Sequence, residues 1–195
     1  MKERFKWNIT ENEAYQILKA SYMAEVEYRH REFIDDNDIV LNKIAKFVCN
    51  ENQKFGALFC GLCGNGKTTI LYALRTATYY LSKKMMFPND IRFVIINSKE
   101  VIQTYKNQQD WKNLKYSYIL AIDDLGVEPS ELNEFGTIIS PIKDILEYRY
   151  NEQLPTYITT NLTPKEIREV YGDRIADRFN EMMEVIIFKN KSYRK

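Results

Sequence analysis

Residues 61–68, Gly-Leu-Cys-Gly-Asn-Gly-Lys-Thr, carry a pattern with a specific chemical use. It fits G-x-x-x-x-G-K-[ST], a loop that wraps a phosphate in backbone N–H groups. Gly61, Gly64 and Gly66 permit backbone conformations that side chains forbid, and Leu62, Cys63 and Asn65 complete the turn of an anion nest. A helix opening at about Lys67, with Thr69 in its first turn, points its positive end at the same phosphates. Lys67 would reach the β- and γ-phosphates, and Thr68 would place its hydroxyl on Mg²⁺. Glycine-rich turns also match such a pattern by chance. Here an apolar run, Phe55–Cys60, precedes it and an amphipathic helix follows, the context the motif requires.

A second cluster of chemistry ends another apolar run, Tyr116–Ile122, which is followed by Asp123 and Asp124. Asp123 would hold Mg²⁺ through water, because Mg²⁺ dehydrates reluctantly. Asp124 would orient or polarise an attacking water. An acidic turn after a strand is the bland alternative, and the phosphate loop upstream favours the chemical one. Asn161 closes Ile-Thr-Thr-Asn and is a candidate sensor of the γ-phosphate. Asn97, after the run Ile91–Ile96, is placed to hold Asp124 in an inactive orientation. Arg174 and Arg178 are four apart and share a helix face beside Asp177. They read either as a salt-bridged surface helix or as an arginine finger that reaches a neighbouring subunit's site. The basic tail Lys189, Lys191, Arg194 and Lys195 reads as a nucleic-acid or nucleotide contact, or as a frayed end.

These groups need elements to position them. Thr10 and Glu13 form a capping box that opens a helix with a stripe of Tyr15, Leu18, Tyr22 and Val26. Asp35, Asp36, Asn37 and Asp38 form a turn before a second helix with Ile39, Ile44, Phe47 and Val48 inward. The helix after the phosphate loop runs to about Leu81, with Ile70, Leu74, Ala77 and Leu81 on the sheet. A loop at Met85–Asp90 leads to a strand over Ile91–Asn97, and Ser98 caps the following helix. Gly126–Ser130 is a loop, and Ile138–Tyr148 a helix with Pro141 in its first turn or at a kink. Thr156–Thr160 is a fourth strand. Thr163, Pro164 and Glu166 open a helix that Gly172 breaks, a further helix spans Asp173 to about Met183, and Val185–Phe188 is a fifth strand. Strands alternating with helices predict an α/β fold, a parallel sheet covered on both faces, with ligands at the C-terminal strand ends.

The chain of 195 residues suits one domain, and its net charge of +1 leaves any DNA contact to a local patch. No run approaches membrane-spanning length and the first residues lack a signal-peptide core, so a cytoplasmic location is the default. Cys60 and Cys63 form C-x-x-C, yet His30 is the lone histidine and no second ligand pair exists. All three cysteines therefore read as small apolar residues.

Together the phosphate loop, Asp123-Asp124, Thr159-Thr160-Asn161 and Gly172-Asp-Arg-Ile-Ala-Asp-Arg-Phe179 resemble AAA+ ATPases of the DnaC/IstB type. The resemblance covers about residues 34–195. It implies a P-loop NTPase three-layer sandwich with a five-stranded sheet of order 5-1-4-3-2, here without a C-terminal helical lid. It divides the chain into a helical extension, 1–50, a possible partner surface, and an ATPase core, 51–195. By the same resemblance Lys67, Thr68 and Asp123-Asp124 are the two Walker motifs, Asn161 is sensor 1, and Arg178 is the likelier finger, with Arg174 second. Arg194, in Ser-Tyr-Arg, matches a C-terminal arginine that contacts nucleotide. The implied activity is ATP hydrolysis with Mg²⁺ in a homo-oligomer. Single-stranded DNA and a replicative helicase or transposase are the implied partners, in helicase loading or transposition. A small-molecule P-loop kinase and a nucleotide-gated adaptor with little turnover are the competing readings.

Overall fold

The computed structural model describes residues 4–33, 37–50, 54–84, 91–129, 131–134, 137–190 and 192–193. The expected turn at Asp35-Asp36, the loop at 85–90, and Lys191, Arg194 and Lys195 lie outside the described residues.

Five parallel strands make the central sheet: β1 Gly56–Gly61, β2 Phe93–Asn97, β3 Ile119–Leu125, β6 Thr156–Thr160 and β7 Met183–Phe188. Their order is β2-β3-β6-β1-β7. Numbered among themselves from the β7 edge, they run 5-1-4-3-2, as expected. The labels β4 and β5 belong to a short antiparallel hairpin, Leu132–Glu134 with Thr137–Ile139, which the sequence reading missed. That hairpin takes Ile138, so the next helix, α6 Pro141–Asn151, starts later than expected. It opens with Pro141 in its first turn, where a missing N–H costs nothing.

Alternation along the strands feeds two cores. Ala57 and Phe59 of β1 join one buried cluster, while Leu58 and Cys60 join the other. The first cluster is closed by α1 Glu11–Tyr28, α2 Asp38–Cys49 and α3 Lys67–Lys83. The second is closed by α4 Ser98–Tyr105, α6, α7 Pro164–Tyr171 and α8 Asp173–Met182, with α5 Gln108–Lys115 beside α4. Helices therefore cover both faces.

Local signals explain the helix starts. Thr10 and Thr163 each accept from the backbone N–H three residues on, and Glu13 and Glu166 return the bond, completing both capping boxes. Ser98 is not a cap. Asn97 caps α4, accepting from Lys99 N at 3.1 Å, and Glu100 completes the box. In α2 the inward set includes Val40, Leu41 and Ile44, whereas Ile39 is 74% exposed, contrary to expectation. Ile39 sits in the first turn, one position off the stripe that α1 and β7 cover.

Helices α1 and α2 share one core with the sheet. Trp7, Leu18, Tyr22 and Leu41 are buried with Leu71, Leu74 and Phe188. Fully burying each such side chain contributes roughly 1.5–3 kcal/mol.

One buried side chain was not anticipated. Arg149 of α6 is fully buried. It donates to the Thr156 hydroxyl (2.9 Å) and to the carbonyls of Ser117 (2.8 Å), Pro155 (2.7 Å), Lys115 (3.2 Å) and Tyr118 (3.4 Å). Burial pushes its guanidinium below its ordinary range. The fork pins the entry points of β3 and β6, the two strands that deliver the acidic pair and Asn161.

Candidate functional site

The phosphate loop ends at Gly66, whose φ of 95° is left-handed, and no side chain caps α3. The first N–H groups of that helix therefore face the loop without a side-chain acceptor. A Cβ on Gly66 would meet the Tyr22 hydroxyl at 2.8 Å, so glycine is required for both conformation and space. Lys67 is 5% exposed, and its ammonium shares its three N–H groups among four oxygens within hydrogen-bond distance. These are Gly61 O (2.8 Å), Leu62 O (2.7 Å), Asn65 Oδ1 (3.1 Å) and Asn161 Oδ1 (2.9 Å). Burial lowers its pKa, and the Asp124 charge works against that. Asn161 thus reaches the lysine of the loop from a strand far away in sequence.

The acidic pair is placed by an irregularity. Between Ile122 and Leu125 the register of β3 against β6 shifts, so Asp123 and Asp124 oppose the single residue Thr159. Asp124 absorbs the extra residue with a φ of 56°. Thr159, fully buried, donates to Asp123 Oδ1 at 2.6 Å and accepts from the Asp124 backbone N–H at 2.8 Å. The Thr68 hydroxyl lies 3.0 and 3.1 Å from the two Asp123 oxygens. Burial raises the Asp123 pKa and the neighbouring Asp124 adds to it, while the bonds from Thr159 and Thr68 oppose the rise. Asn97 does not hold Asp124, since its side chain is spent capping α4. The next residue does so through the backbone: Ser98 Oγ donates to the Asp124 carbonyl at 2.8 Å.

These groups open on a cleft of about 450 Å³. Its floor and one side are Cys63–Thr69, Asp124 and Asn161. Its other wall was not anticipated: Tyr22, Val26, Arg29, Arg31 and Glu32 at the end of α1, with Val127 and Tyr193. Asn37, 2% exposed, ties these parts together, donating to the hydroxyls of Tyr22 (2.8 Å) and Tyr193 (2.9 Å). Tyr193 N donates to Gly64 O at 2.9 Å, and Asn190 donates to Asn65 O at 3.0 Å. Both ends of the described chain thus brace the phosphate loop. The sequence cues were separate, Tyr22 on the apolar stripe of α1, Asn37 in the turn before α2 and Tyr193 in the basic tail, and no motif joins the three.

Other candidates lie elsewhere. Arg174 and Arg178 both pair with Glu147 of α6, at 3.0 and 2.8 Å, and neither lines the cleft. The Arg178 contact is a close ion pair without hydrogen-bond alignment, and its guanidinium also stacks on Tyr150 at 5.1 Å. Asp177 pairs with Arg168 at 3.0 Å instead of with either arginine. Cys60 is buried, with its thiol pushed up to about 11, whereas Cys63 is exposed on the loop, unlike the apolar role read for it. No group of three or more potential metal-ligating residues occurs among the described residues. No described helix is long and apolar enough to cross a membrane.

The five-stranded order and the phosphate loop give the chain the α/β fold of P-loop AAA+ proteins. No protein-family model matches the sequence. The sequence is 25% identical over 148 residues to the replicative helicase loader DnaI of Bacillus subtilis (strain 168), a match covering 71% of this chain. That match spans 45% of the relative's length. The structure is similar to the crystal structure of the DnaC helicase loader, with a TM-score of 0.61 and 26% identity over 88% of this chain and 99% of that one. It also shares the fold of the DnaI crystal structure, with a TM-score of 0.60 and 23% identity over 92% and 93% of the two chains. Within that fold the chain is similar to DnaC-type helicase loaders.

Proposed function

We propose that the cleft binds ATP with Mg²⁺ and hydrolyses it, and that the chain acts in DNA replication as a helicase loader. The observation that carries this is the convergence of Lys67, Thr68, Asp124 and Asn161, from three separate strand ends, on one cleft beside an uncapped helix N-terminus, with Asp123 bonded to Thr68. A triphosphate entering the loop would replace the oxygens around Lys67 with its own. The donor set suits Mg²⁺, since a hydroxyl and a carboxylate are hard oxygen ligands placed within 3.1 Å of each other. Thr68 and Asp123 would hold the ion, Asp123 through water, and the bound ion neutralises charge on the phosphates. Asp124 accepts the proton of the attacking water, and Asn161 fixes the γ-phosphate side of that geometry. The nest residues Gly61–Gly66 and Thr69 bind phosphate through the backbone.

The likeness to DnaI and DnaC loaders favours replication over transposition, and a replicative helicase and single-stranded DNA as partners. A finger from a neighbouring subunit fits the placement of Arg178 and Arg174 outside their own cleft, with Glu147 as the partner each would leave. In this reading the outer surface of the N-terminal helices is the partner surface. A second reading, slow turnover in a nucleotide-gated adaptor, draws on Asp124. Its carboxylate is one methylene shorter than glutamate, and catalytic geometry tolerates little displacement.

The test is ATP hydrolysis per subunit across a wide range of protein concentration, with and without single-stranded DNA. Activity that climbs with concentration and responds to DNA supports hydrolysis completed between subunits. Binding of ATP without turnover selects the adaptor. Activity that is flat in concentration, ignores DNA and rises with a phosphoryl acceptor overturns the loader reading in favour of a kinase.

A further inference from the structure

Arg29 ends α1, where it is the C-cap residue, and it lines the cleft with Lys67, Thr68, Asp124 and Asn161. Its guanidinium carbon stands 4.9 Å over the ring of Tyr72. Tyr72 follows Thr68 by four residues on α3, so the two share one helix face. Arg29 is thereby stacked on the residue that follows Thr68 by one helical turn, and the Thr68 hydroxyl meets Asp123. Among the described residues no carboxylate lies within ion-pair distance of Arg29. The Arg75 guanidinium sits over the same ring at 4.8 Å. Two like charges sharing one ring repel, and an anion in the cleft relieves that repulsion.

The position of Arg29 is fixed by packing. Leu18, Tyr22 and Val26 bury α1 against α3, and Thr76 donates to Glu25 at 3.0 Å across the seam. The other charges on the cleft are Lys67, Arg31, Glu32 and Asp124. Arg174 and Arg178, by contrast, are both engaged with Glu147 away from it.

Building on the nucleotide reading, we propose that Arg29 is a second phosphate-binding cation of the cleft, supplied by the same chain that supplies the phosphate loop. The N-terminal helix then completes the site instead of serving only as an outer surface. A guanidinium offers five donors in a fixed fork, suited to the oxygens of the β- and γ-phosphates. Its contribution grows with the number of phosphates, because each adds negative charge within its reach.

The experiment measures equilibrium binding of ATP, ADP and AMP, with Mg²⁺, to the wild-type chain and to Arg29→Ala, Arg29→Lys and Lys67→Ala, with a thermal melt on each. Arg29→Ala should weaken ATP about tenfold or more and ADP less, while AMP changes by about twofold at most. Arg29→Lys should restore part of the loss, which keeps the test valid if the alanine variant folds poorly. Equal losses for all three nucleotides would mean that Arg29 only builds the wall, and no loss would mean that it does not touch phosphate. Either result overturns the proposal while Lys67→Ala still abolishes ATP binding. Wild-type protein that binds no nucleotide overturns the nucleotide reading, and this proposal with it.

Discussion

Replacing Thr159 with valine keeps the shape of the side chain and removes one oxygen. In the structure that oxygen makes two bonds inside a fully buried site. It donates to the Asp123 carboxylate at 2.6 Å and accepts the Asp124 N–H at 2.8 Å. A hydrogen bond to a charged group contributes about 1.5–3 kcal/mol, and a buried N–H left without a partner costs about 1–3 kcal/mol. The substitution should therefore cost about 3–5 kcal/mol, a large share of the roughly 5–15 kcal/mol that holds a domain together. For a chain of this size that is a fall in Tm of about 6–20 °C. The same loss acts on chemistry. Burial already raises the Asp123 pKa, and the Thr159 bond is what opposes it most. A carboxylate must be ionised to hold Mg²⁺, so if the cleft turns over ATP as proposed, the acid limb of that turnover should move to higher pH without that bond. ATP binding through the phosphate loop should survive, so kcat falls more than affinity. Thr159→Ser retains the oxygen and should restore the pH profile, leaving only the smaller loss of a methyl group. Thermal melts and pH–rate profiles on the three proteins decide the matter. A valine variant that melts within about 2 °C of wild type, with an unmoved acid limb, would refute the reasoning.

Three further outcomes follow from the geometry. Arg149→Met removes a fork that satisfies four carbonyls and a hydroxyl, and should cost about 3 kcal/mol or more in urea unfolding, because the stranded carbonyls stay buried. Gly66→Ala meets the Tyr22 hydroxyl and a positive φ, so it should abolish nucleotide binding; pairing it with Tyr22→Phe relieves the contact but not the backbone strain, and should not restore binding. A thiol reagent at pH 8 should label exposed Cys63 far faster than buried Cys60, whose thiol is pushed up to about 11, and bound nucleotide should protect Cys63.

Motifs whose chemistry is contiguous were legible in the sequence. Residues 61–68 announce a phosphate loop because the glycines, the lysine and the threonine must be neighbours in the chain for the turn to work. The strand order followed from the resemblance, and the capping boxes at Thr10 and Thr163 from spacing alone. What stayed hidden depends on register and packing between distant residues. Thr159 was one threonine in a polar strand end until the bulge in β3 set both aspartates opposite it. Arg149 looked like any helix arginine, since its partners are backbone carbonyls, which carry no side-chain signature. The β4–β5 hairpin is too short for alternation to show. Asn97 and Ser98 are both good caps, and only the backbone settled which one serves. Arg29 and Tyr193 entered the cleft because α1 lies along α3 and Asn37 joins the two ends, and no local pattern encodes either fact.

The shared core of α1, α2 and α3 also bears on how the protein can be dissected. A fragment that starts at β1 would keep the phosphate loop and the strand-end residues, yet it would expose the face of α3 that Leu18, Tyr22 and Val26 cover. Apolar surface on that scale drives self-association. Such a minimal piece would also lack Tyr22, Arg29 and the Asn37 bridge that steadies the loop. Loss of nucleotide binding in a truncated preparation would then report a collapsed wall, with the phosphate loop and strand-end carboxylates themselves intact.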